Sequence, residues 1–134
     1  MSRHALWLGI AGLIPFVTLP LLLMAGVIDS VQAQIGFVQY SAIILSFLGG
    51  IHWYQGLLAG SGNWQIHFSM WPSIVGWLAL VLAPIPVALG VLALAFAVMM
   101  AADRWIGRQP PGYRTLRLSL TSVAVVSHGG MLVL

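Results

Sequence analysis

The stretch Tyr40-Ser41-Ala42-Ile43-Ile44-Leu45-Ser46-Phe47-Leu48-Gly49-Gly50-Ile51-His52-Trp53-Tyr54-Gln55-Gly56 decides the fold. It sets small, aromatic and ionisable residues inside one apolar run. With its flanks, Gly36 to Leu58, it reaches the roughly 20 apolar residues that a helix needs to cross a bilayer. Helical spacing puts Ala42, Ser46 and Gly50 on one stripe, and Leu45, Leu48, Gly49, His52, Gln55 and Gly56 on the next. Small residues at such spacing let a second helix approach closely, which is how membrane helices pack without a hydrophobic drive between them. Ala42, Ser46, Gly49 and Gly50 are therefore expected at a helix–helix contact.

Composition extends this reading to the whole chain. Hydrophobic residues make up 60% and charged residues 5% of 134 residues, and the mean hydropathy is +1.02. That is too apolar for a water-soluble domain and fits an all-α integral membrane protein. The pI of about 10.2 rests on five arginines against two aspartates, with neither lysine nor glutamate. These charges do not form the clustered, solvated patch that nucleic acid requires, so no nucleic-acid partner is expected. Without lysine there is no Schiff base, and without cysteine no thiolate nucleophile, disulfide or thioether-linked haem.

Five crossings follow in order: Ala5 to Ile28, Gly36 to Leu58, Ile66 to Ala83, Val87 to Ala102 and Thr115 to Leu134. Together they make a single transmembrane bundle. The first span contains Pro15 and Pro20 and is expected to kink. The apolar run behind Ser2-Arg3-His4 is longer than a signal-peptide core and reads as an anchor. Asp29, Ser30, Gln32 and Gln34 predict a polar turn, and residues 59–63 a loop. A third helix that began at Pro72 would be too short to cross, so it is placed from Trp64 or Ile66. Pro84-Ile85-Pro86 makes a corner, and Pro110-Pro111-Gly112 breaks the last loop. With five spans, Arg3, Arg104, Arg108, Arg114 and Arg117 share one side. The positive-inside rule then puts the N-terminus in the cytoplasm and the C-terminus opposite, in a multi-pass protein of the cytoplasmic (inner) membrane.

Ionisable and polar groups within spans are the candidates for chemistry, because they face the protein interior and pair there. His52 and Gln55 lie on the second span, and Arg117, Thr121 and His128 follow one face of the fifth. These five form the candidate intramembrane site. His52 is expected about 9 Å, and His128 about 20 Å, from the cytoplasmic end of their helices. That offset opposes a bis-histidine haem, whose two axial ligands must meet one iron. Either histidine could equally be a neutral imidazole bonded within the protein. Asp103 and Arg117 flank one loop and are expected to form a structural ion pair. Trp64 and Trp105 read as interfacial anchors, and Trp53 and Trp77 as packing partners. No metal site is expected, since there is no cysteine, no glutamate and no His-x-x-x-His pair.

The run Tyr40 to Trp53, together with Trp71-Pro72-Ser73, Trp77, Asp103 and Tyr113-Arg114-Thr115-Leu116-Arg117-Leu118-Ser119-Leu120-Thr121, resembles a domain-of-unknown-function family. That family includes mitochondrial transmembrane protein 69. Its specificity lies in Ser-Phe-Leu-Gly-Gly-Ile-His-Trp, residues 46–53. Tyr54 and Gly112 depart from its pattern, in which a glycine and an aromatic residue stand at those places. The resemblance implies a small multi-span protein of bacterial inner membranes or mitochondria, and it implies no reaction.

The residues favour a non-enzymatic accessory, assembly or interaction protein, with membrane lipids, a second copy or a larger membrane complex as partners and no cofactor. No mid-membrane carboxylate pair or nucleophile–base set is evident. One alternative is a binder of a lipophilic cofactor, quinone or haem, between spans two and five. Another is a small oligomeric transporter or channel.

Overall fold

The computed structural model describes residues 1–60 and 64–134, and the described residues include helices and no strand. The helices are α1 (Arg3–Ala11), α2 (Ile14–Met24), α3 (Ser30–Ala59), α4 (Trp64–Leu82), α5 (Ile85–Ala102) and α6 (Tyr113–Val133), with one 3-10 turn at Asp103–Trp105. Taken together, α1 and α2 form one apolar crossing, and α3, α4, α5 and α6 form four more. Among the described residues the fold is an all-α bundle with five helical segments long and apolar enough to cross a membrane.

The first crossing breaks at Gly12 and Leu13, just before Pro15 near the start of α2. Proline lacks a backbone N–H, so a break of this kind leaves carbonyls to be satisfied from elsewhere. Tyr40 of α3 supplies one donor: its hydroxyl donates to the Gly12 carbonyl at 2.7 Å. α1 itself buries no residue.

α3 begins earlier than the polar residues predict. Asp29 caps it, its carboxylate accepting the Gln32 N–H at 3.3 Å. Ser30, Gln32 and Gln34 are thus the opening turns of a 30-residue helix rather than a turn between helices. An acidic N-cap satisfies a free N–H and complements the helix dipole, which overrides the turn preference of these residues. Gly60 ends the helix in the left-handed region, at φ 66°. Of the predicted 59–63 loop, residues 61–63 lie outside the described residues. α4 starts at Trp64 and continues through Pro72.

α3 is the central helix, packed against α2, α4 and α5, while α6 packs on α5 and α2. The tightest seam joins α3 to the antiparallel α4. A Cβ on Gly49 would stand 2.6 Å from the Ser69 carbonyl oxygen, one on Gly76 would stand 3.3 Å from Ala42 Cβ, and one on Gly56 would stand 2.7 Å from Ile66 Cγ1. Ala42, Leu45, Gly49, His52 and Gly56, all buried, recur at alternating three- and four-residue steps, the spacing of a coiled-coil seam. Ser46 bonds Ser73 at 2.8 Å on the exposed rim of this seam. Gly50 does not belong to it: the position is exposed and a Cβ there would meet nothing within 4 Å. One residue advances a helix by about 100°, and that rotation turns Gly50 away from the face Gly49 presents. Trp53 and Trp77 also point outward, 42% and 61% exposed. In a bilayer an indole on the lipid-facing side needs no protein partner.

Candidate functional site

Two buried polar clusters lie along α3, one at each histidine. The first gathers α3, α4, α5 and α6 at the end of the bundle that carries the arginines. Asp103, buried where α5 passes into the 3-10 turn, is its hub. Arg117 Nε donates to Asp103 Oδ2 at 2.7 Å, and His52 Nε2 stands 3.4 Å from Oδ1. Gln65 Nε2 donates to His52 Nδ1 at 3.1 Å, which leaves the ring proton on Nε2, facing the carboxylate. Arg117 Nη1 donates to Thr121 Oγ1 at 3.1 Å, one turn along α6. Gln109 fastens the hub from the loop by donating to the Asp103 carbonyl at 3.0 Å.

Burial here is deep. His52 is 1% exposed, Arg117 5% and Asp103 7%. Charges so far from water persist only when paired, and here the Asp103 carboxylate and the Arg117 guanidinium pair with one another. One donor is left over. Arg117 Nη2 is buried with no partner among the described residues. Asp103 is gripped by Nε alone because its second oxygen faces His52, so the two-pronged arginine–carboxylate geometry is not completed.

The second cluster surrounds His128 on α6. Its Nδ1 donates to the Ala124 carbonyl at 2.7 Å, and its Nε2 accepts from the Ser41 hydroxyl at 2.6 Å. Phe37, Phe96 and Phe16 enclose the ring, with centroids at 4.8, 5.5 and 5.6 Å. A single neutral tautomer satisfies both nitrogens.

Of the five residues expected to share one intramembrane site, His52, Arg117 and Thr121 meet in one cluster and His128 lies in another. Ser41 and His52 are eleven residues apart on α3, about 16 Å along the axis, and the two histidines contact different partners. Gln55 joins neither network; its Oε1 lies 4.0 Å from where a Gly107 Cβ would be. Gln65, Gln109 and Ser41 are partners that the sequence did not single out. A glutamine near the start of the proline-containing α4, or a serine on a stripe of small residues, carries no local signature of a histidine partner.

Two cavities adjoin the Asp103 cluster, and Tyr113 and Arg117 line both. The larger, about 550 Å³, lies among α1, α2, α3 and α6, and its walls include Ala5, Gly9, Ile44, Phe47 and Leu120. On its α1 side Gly9 lies close to α6, where an added Cβ would stand 3.4 Å from a Leu116 methyl and 3.8 Å from a Leu120 methyl. The smaller, about 450 Å³, lies between the ends of α5 and α6 and is lined by Asp103, Arg104, Gln109 and Arg114. Chemically, the cluster offers a guanidinium donor at the edge of an apolar chamber. The Thr121 hydroxyl is engaged by Arg117 rather than by His52, so histidine and carboxylate do not activate it as a nucleophile.

Residues 1–133 match the family model described as protein of unknown function DUF3429. The chain is 36% identical over 139 aligned residues to transmembrane protein 69 of Xenopus tropicalis. The alignment covers 98% of this chain and 54% of that protein, so the chain spans about half the length of the curated relative it matches. No solved structure matches it.

Proposed function

The chain belongs to the DUF3429 family, and on that premise we propose that it is a multi-pass protein of the cytoplasmic membrane that binds a lipophilic molecule without transforming it. The arginine-bearing end faces the cytoplasm in this reading, as the positive-inside rule requires. The observation that carries it is the pairing of an apolar cavity of about 550 Å³ with Arg117, whose Nη2 is buried and unpartnered. Ligand pockets have this composition, mostly apolar walls with a few fixed polar groups, and this size. A buried donor without an acceptor costs about 1–3 kcal/mol, more when charged, and a ligand oxygen would relieve it. Quinones and acyl amphiphiles both fit the description. Haem bridging His52 and His128 does not, because the two rings belong to separate networks.

Purification in a mild detergent, followed by organic extraction and mass spectrometry, should release one lipophilic species in near-stoichiometric amount. Ala5→Phe, which fills the cavity from its α1 wall, should lower that amount severalfold while the protein stays folded. A wild-type protein that yields only a random sample of the membrane, unchanged by Ala5→Phe, would end this reading.

A second reading, docking to a second copy or a larger complex, is supported by the outer face of α6. Thr115, Ser119, Ser122 and Gly129 are all exposed there, at coiled-coil spacing, on a side where lipid would favour larger apolar residues. Crosslinking through cysteines placed at 122 and 129 tests it; no crosslinked species at native expression would count against it.

A further inference from the structure

We infer that the bound molecule is an anionic amphiphile, with a phosphate-type head in the cavity between α5 and α6 and its chain in the apolar cavity among α1, α2, α3 and α6. This deepens the binding reading above and rests on it. The first ground is a charge count. The only two side-chain carboxylates are Asp29 and Asp103. Asp29 caps the far end of α3, and Asp103 is already engaged by Arg117 and His52. No carboxylate remains for Arg104 or Arg114, yet both line the smaller cavity together with Arg117 and Gln109. With Asp103 counted against Arg117, the rim of that cavity keeps two exposed positive charges, Arg104 and Arg114, that no carboxylate of the chain pairs. A neutral ligand would leave them so.

The second ground is the unpartnered Nη2 of Arg117. The side chain is 93% buried and lines both cavities; its Nη2 lies under their shared wall with no partner among the described residues, so a small shift of the guanidinium would bring that donor to an acceptor on either side. Arg104 is held in place by its own neighbour, its guanidinium lying 4.9 Å from the Trp105 ring centroid. That stacking orders the side chain without using its hydrogen-bond donors in the ring plane. The third ground is adjacency: the arginine-lined and apolar cavities share Tyr113 and Arg117 as a common wall. A head and a chain joined by a short linker span such an arrangement, whereas a free anion would use only the first cavity and a quinone only the second.

The test measures binding and thermal stabilisation of the full chain in detergent by phosphatidylglycerol, phosphatidylcholine, a long-chain quinone and inorganic phosphate. Phosphatidylglycerol is expected to bind at least tenfold more tightly than phosphatidylcholine. Arg104→Gln combined with Arg114→Gln should lose on the order of tenfold of that preference. Arg108→Gln, at an arginine outside the cavity lining, should keep it, and Ala5→Phe should weaken both lipids alike. Equal binding of the two phospholipids, quinone as the sole tight ligand, or an Arg108→Gln loss as large as the double variant's would each overturn the anionic head site and leave the apolar binding site standing. Stabilisation by inorganic phosphate equal to that by phosphatidylglycerol would reassign the arginine cavity to a free anion and overturn the amphiphile. Failure of every lipophilic probe, with no effect of Ala5→Phe, would remove both readings.

Discussion

The two buried histidines sit on the same bundle and illustrate opposite uses of a polar group in a membrane. His128 is closed. Both its nitrogens are bonded, Ser41 on one side and Ala124 on the other, and three phenylalanines surround it. His52 is open in the sense that its network does not end within the protein: it shares Asp103 with Arg117, and Arg117 retains a free Nη2 between two cavities. Burial alone does not separate the two, since both are essentially inaccessible. What separates them is whether every donor and acceptor finds a partner, and the unsatisfied network is where a ligand has something to gain.

The largest effect that can break this contrast is at the hub. Asp103→Ala leaves Arg117 buried and unpaired and is expected to cost about 3–5 kcal/mol, read as thermal unfolding in detergent. A loss under about 1 kcal/mol would mean that the guanidinium reaches water and that the cluster is not closed to it. Next comes the seam that holds His52 against Gln65. Gly49→Ala forces a Cβ onto the Ser69 carbonyl and should destabilise by about 1–3 kcal/mol. The closed histidine should be more forgiving. His128→Leu is expected to cost about 1 kcal/mol, with Ser41→Ala alongside it recovering part of the loss; lipid extracted from the double variant should be unchanged. If that lipid vanished, His128 would belong to the binding site and the contrast would fail. Smallest is Gly50→Ala, expected within about 0.5 kcal/mol of the parent by the same unfolding measurement because its Cβ meets nothing. Adjacent glycines giving unequal effects would show directly which face of α3 carries the seam.

Much of the fold was legible because membrane crossing imposes a length and an apolarity that can be counted along the chain. The ends of the helices were less so. Asp29 to Gln34 reads as a turn by composition, and only the Asp29 cap reveals a helix start. At the site, Asp103 and Arg117 could be placed near one another from topology alone, since a single loop separates their helices. Periodicity put Arg117, Thr121, Ala124 and His128 on one face of α6, and that face is buried. The division into two clusters was not readable, because it depends on which residues of α3 and α4 stand opposite α6. Gln65 and Ser41 are chosen by helix rotation and crossing geometry, which small differences in packing decide. Gly50 shows the same limit: two neighbouring glycines look alike in sequence and face different ways.

α3 is 30 residues long and α4 and α5 are 19 and 18, so the first is about 45 Å and the others about 27–29 Å. The shorter lengths match the hydrocarbon layer of a bilayer and the longer one matches hydrocarbon plus both headgroup layers. The bundle thus contains a strut that reaches past the oil on at least one side. Its polar opening turns, Ser30, Gln32 and Gln34, give that overhang a wetted surface. A thinner bilayer would have to be met by tilting this strut, and its tilt would carry the His52 end sideways relative to α6.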